Sequence, residues 1–149
     1  MSQTGLKAFD STLQATNGWL HNVMERLNWL DRQRAYHALG AVLHALRDRL
    51  GVEQAAALGA QLPLLVRGLY YEGWHPSGKP LKERKKEEFL AHVGKAFPGE
   101  PIIDPEEVAR AVLQVLAQHV SPGTIEHIQS ALPADIRSLW AEETRSVWE

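Results

Sequence analysis

A chain of 149 residues, 44% hydrophobic and 23% charged, has the composition of ordinary globular proteins and can bury one substantial core or two small linked ones. With 16 Lys and Arg against 18 Asp and Glu, the net charge of -2 gives no bulk attraction to phosphate backbones or anionic lipid, so neither nucleic acid nor a membrane is expected as a partner. The lack of cysteine excludes disulfides, thiolate metal sites and thiol nucleophiles. That fits a reducing cytoplasm, the compartment expected also from an amino terminus without a basic start and an apolar stretch.

In chain order, a first helix is expected over 9–27. Ala35, Ala38, Leu39, Val42, Leu43, Leu46 and Leu50 then recur at three- and four-residue steps, the mark of an amphipathic helix over 31–50. Asp31 can cap its start and Gly51 suits the turn beyond its end. An alanine-rich helix over 52–61 stops before Leu62-Pro63, and proline fits the first turn of the next, over 63–72. Pro63 to Tyr71 is almost wholly apolar and is expected to be central. Glycine and proline from Gly73 to Pro80 mark a linker. Helical patterning resumes over 82–97 and 104–120, the latter opened by Asp104-Pro105-Glu106-Glu107, and closes with helices over 122–130 and 133–141.

Sliding the sequence along itself by 70 positions pairs Ala41, Val42, Leu43, Leu46, Leu62, Pro63, Arg67, Leu69 and Glu72 with identical residues from Ala111 to Glu142. Trp19, Leu20 and Val23 likewise pair with Phe89, Leu90 and Val93, and Tyr70 with Trp140. The expected fold is therefore all-α: eight helices in two tandem four-helix units related by an internal repeat, at 1–76 and 77–149, packed together as one compact domain.

Arg32-Gln33-Arg34-Ala35-Tyr36, Ala41 to Leu50, Gln61-Leu62-Pro63, Arg67 to Trp74 and Lys79 to Arg84, followed by Lys86-Glu87-Glu88-Phe89-Leu90, resemble the bacterial domain-of-unknown-function family 2267 over nearly the whole chain. The resemblance implies a small helical protein. It carries no assigned activity and hence no catalytic residues.

The residues themselves offer few chemical constellations. Tyr70, Tyr71, Trp74 and His75 concentrate polar-tipped rings at a helix end, as ligand pockets and interfaces do, and are the candidate ligand-binding residues at the inter-unit groove. The competing reading has Tyr70 and Trp74 plugging the seam between the units. Arg67 and Arg137, equivalent in the repeat, read as structural arginines capping carbonyls or pairing with a glutamate. His37, His44 and Asp48 share one helix, but seven residues separate the histidines by about 10.5 Å, too far for one ion. His119 fits the end of its helix by charge–dipole interaction. The basic run Lys79–Lys86 is diluted by Glu83, whose pairing with Lys86 fits a solvated helix start.

No catalytic residue, metal or cofactor is assigned. The expected function is a non-enzymatic helical module binding a protein partner or small ligand, as a monomer or weak homodimer. The alternatives are a metal-dependent or hydrolytic enzyme assembled from His, Asp and Glu on different helices, or a self-associating structural protein.

Overall fold

A computed structural model describes residues 2–100 and 102–141. Glu142, the repeat partner of Glu72, and the rest of the second expected unit to Glu149 lie outside the described residues. The described residues form eight α-helices and no strand: α1 (Lys7–Leu27), α2 (Arg32–Arg47), α3 (Val52–Gly59), α4 (Leu64–Tyr71), α5 (Lys86–Gly94), α6 (Pro105–His119), α7 (Pro122–Ser130) and α8 (Ala134–Arg137), the last running into a 3-10 turn, Ser138–Trp140. None is long and apolar enough to cross a membrane.

Local chemistry starts the long helices where the pattern places them. Asp31 accepts the N–H groups of Gln33 and Arg34, and Asp104 that of Glu106, satisfying donors with no partner inside the helix. The apolar stripes of α2 and α6 then meet at the centre. Leu39, Leu43 and Leu46 on one and Leu113 and Leu116 on the other lose all contact with water, each stabilising the fold by about 1.5–3 kcal/mol. Around this pair stand α1 and α5, with Trp19, Val23, Phe89 and Val93 inward, and the buried side chains form one contiguous core.

Three expectations change. The fifth helix begins at Lys86, four residues later than its periodicity suggests, because Leu81 to Lys85 is non-helical and passes the end of α2, with the Leu81 N–H donating to Asp48 O at 2.8 Å. Glu83 therefore has no helical partner in Lys86; it turns inward to Arg49, while Lys86 pairs with Glu106 at 3.3 Å. The apolar helix α4 is peripheral: it packs on α1, α2 and α3, and only Val66 and Tyr70 of its residues are fully buried. Finally, His119 ends α6 as expected but is held from the side, stacked on Trp19 at 4.7 Å with Nε2 donating to Asn22 Oδ1 at 2.7 Å. Desolvation there lowers its pKa.

Candidate functional site

The end of α4 is positioned by side chains from α2. Helix C-termini leave carbonyls without intrahelical partners. Here His44 Nε2 donates to Leu69 O at 2.6 Å, and Arg47 Nη1 donates to both Tyr70 O and Glu72 O at 2.8 Å. The Arg47 Nε donates to Asp48 Oδ1 at 2.9 Å, so its charge is balanced although the side chain is buried. His44 and Asp48 are thus occupied by structural bonds. Among the described residues no three His, Cys, Asp or Glu side chains gather as a metal ion would require.

The four aromatic-rim candidates separate. Tyr70 is completely buried and its hydroxyl donates to Ala55 O at 2.7 Å, with burial pushing its phenol pKa well up. It serves as packing between α3 and α4. Tyr71 is half-buried, its hydroxyl against Gly59, where a Cβ would collide with it. Trp74 packs on Tyr71 with ring centroids 5.4 Å apart; its indole N–H is shielded and finds no acceptor among the described residues. His75 is exposed beyond them. Tyr70 and Tyr71 thus pack within the amino-terminal half, on Ala55 and Gly59 of α3, while the two halves meet through the α1–α6, α2–α5, α2–α6 and α3–α7 contacts.

Arg67 and Arg137 both cap carbonyls, at Gly59 O and Leu62 O in one case and Gln129 O and Leu132 O in the other. The two buried arginines were not singled out by spacing. Arg47 caps α4, and Arg49 donates to Ala45 O at 2.9 Å and to Glu83 Oε1 at 2.6 Å, with its guanidinium 5.1 Å from the Phe89 ring. Burial pulls the Arg49 pKa down and the Glu83 charge pushes it back up. His92 Nε2 donates to the same Glu83 oxygen at 3.0 Å, so the segment 81–85 is tied both to the turn that follows α2 and to α5.

What remains unusual is the outward face of α4. Leu64, Leu65 and Gly68 are exposed and Tyr71 half so; at 100° per residue they occupy one side of the helix, opposite Val66 and Tyr70. Leu64 is 57% and Leu65 46% exposed. Beside them lies the first part of α1, with the Leu65 N–H donating to Thr12 Oγ1 at 3.0 Å and Phe9, one turn before Thr12, 52% exposed. Scattered surface leucines need no explanation, but neighbouring ones on adjoining helices do. The 70-residue shift already carried a signal for them, since Leu64 and Leu65 pair with Ala134 and Asp135.

Among the described residues these features define a small protein of helices alone, with a buried arginine framework and an apolar helix face left exposed on α4. The chain belongs to the family described as an uncharacterized conserved protein, DUF2267, whose model matches residues 16–139. No curated protein matches the chain.

Proposed function

We propose that the chain is a non-enzymatic helical module that binds a protein partner, and that the partner docks on the outward face of α4 and the adjoining stripe of α1. Tyr71, Trp74 and His75 form one end of that surface, in place of the inter-unit groove. A comparison internal to the chain carries the reading. At the 70-residue shift the residues that enter α4 and those on its inner side keep their character: Leu62, Pro63, Val66, Arg67, Leu69 and Tyr70 pair with Leu132, Pro133, Ile136, Arg137, Leu139 and Trp140. The arginines bond carbonyls that are themselves 70 apart, Gly59 with Gln129 and Leu62 with Leu132, which supports an internal repeat of four helices.

The outward residues do not keep their character. Leu64, Leu65, Gly68 and Tyr71 pair with Ala134, Asp135, Ser138 and Ala141, all exposed. The same helix position is thus built twice on one scaffold, once with a small or polar outer face and once with an apolar one. The scaffold does not require the apolar version. Part of the contrast at Leu65 is structural, because Asp135 accepts the Lys86 N–H at the start of α5, whereas α1 runs on past the corresponding place. Leu64 and Phe9 have no such account. An apolar, two-turn helix face beside a second helix is the geometry that takes an amphipathic helix in a groove.

The test is Leu64→Asp with Leu65→Asp. Acidic residues in a first helical turn interact favourably with its exposed N–H groups, so unfolding free energy should change by no more than about 1 kcal/mol. Selection from a displayed library of amphipathic helical peptides should enrich binders to the parent chain that the double variant does not retain. A stability loss of about 3 kcal/mol or more would place both leucines in the fold and end the proposal. So would a selection that enriches nothing.

A further inference from the structure

The first half of the chain differs from the second at this face in one more respect. At the shift of 70, Lys86, the first residue of α5, corresponds to Thr16, yet α1 begins at Lys7. Lys7 to Ala15 is therefore a helical extension without a counterpart, and the family match also starts only at residue 16. The extension lies alongside α4 through the Thr12–Leu65 bond. Leu6, Phe9 and Leu13 recur along it at helical steps; Leu6 is 48% exposed and Leu13 half-buried.

Resting on the reading of this surface as a docking face, we propose that its occupant is a second copy of this chain, related by a two-fold axis, with the α1 extension of each copy packed against the α4 face of the other. An isologous contact needs both complementary halves on a single patch, and here the projecting stripe and the flat face adjoin. Their lengths agree, since Leu6 to Leu13 and Leu64 to Tyr71 are both seven-residue steps of about 10.5 Å. Gly68 offers bare backbone at the middle of the α4 face, where an added Cβ would meet nothing, so a large side chain such as Phe9 can approach closely. No charged residue among Leu64, Leu65, Gly68 and Tyr71 would have to be desolvated.

The area is also sufficient. Leu6, Phe9, Leu64 and Leu65 are each about half exposed. At roughly 100 Å² apiece they offer about 400 Å² of apolar surface per copy, most of the apolar share of a standard interface burying about 800 Å² on each partner.

Sedimentation of the full chain from micromolar to near-millimolar concentration should show the mass rising from 16.7 kDa toward twice that value. Phe9→Glu, which damages the extension, and Leu64→Asp with Leu65→Asp, which damages the face, should each weaken dimerisation at least about tenfold. Mixing the two variants should restore part of it, because the intact extension of one meets the intact face of the other. Circular dichroism checks that both variants keep their helices. A mass fixed at 16.7 kDa over the whole range overturns the dimer, as does a dimer that both variants leave unchanged or a mixture no stronger than its components. A strict monomer that still takes amphipathic peptides at the α4 face would discard the second copy and leave the docking face standing; a monomer that takes none would discard both.

Discussion

Glu83→Ala is expected to lower the unfolding free energy by about 3 kcal/mol, measured by urea denaturation at neutral pH, because it takes from the buried Arg49 guanidinium its one direct ion pair and leaves only the more distant charges of Asp48 and Glu88. The Arg49 side chain is 1% exposed, and without Glu83 its partners are Ala45 O and the face of Phe89. Glu83 itself is about one-third exposed, so water can follow its removal and holds the loss below the upper end for a fully buried pair. Removing the other member is milder. Arg49→Met takes away the buried charge, leaves a carboxylate that can hydrate and still hydrogen-bond His92, and gives up the bond to Ala45 O, for a loss of about 1 kcal/mol. The double variant should resemble Arg49→Met alone, since the penalty of Glu83→Ala exists only while the charge is present. If Glu83→Ala proves no more harmful than Arg49→Met, the ion pair does not hold the segment 81–85 to the turn after α2.

Arg47→Met should cost about 3 kcal/mol and act on a particular part of the molecule. Methionine keeps most of the aliphatic stem, so packing changes little. What goes are the Nε bond to Asp48, whose partly exposed carboxylate can hydrate, and two hydrogen bonds from one nitrogen to Tyr70 O and Glu72 O, whose loss leaves carbonyls at the end of α4 without donors in a mostly dry setting at about 1–3 kcal/mol each. The Tyr71–Trp74 contact follows directly from that helix end, where the Trp74 N–H donates to Tyr71 O at 3.0 Å. Alongside the global loss, amide exchange should accelerate selectively from Gly68 to Trp74 relative to the amides of α2. Uniform acceleration across the chain would show that Arg47 contributes general stability and does not set the end of α4.

These expectations depend on side chains that the sequence marks only faintly, and the contrast with what it marks clearly has a physical origin. The helix starts at Asp31 and Asp104, the prolines entering α4 and α8, and the carbonyl-capping arginines Arg67 and Arg137 are all settled within eight residues along the chain. Backbone geometry and short-range hydrogen bonding decide such features, and both are written into neighbouring residues. The all-helical character follows for the same reason.

The course of residues 81–85, the burial of Tyr70 and the exposure of α4 depend on partners 15 to 34 positions apart: Tyr70 with Ala55, Arg47 with Tyr70, Arg49 with Glu83. Periodicity saw α4 as apolar on nearly every side and so expected it at the centre. Apolarity states what a helix face prefers, and only the placement of α1, α2 and α3 decides which faces are covered. The tertiary structure covered Val66 and Tyr70 and left Leu64 and Leu65 uncovered, turning a presumed core helix into the protein's most distinctive surface.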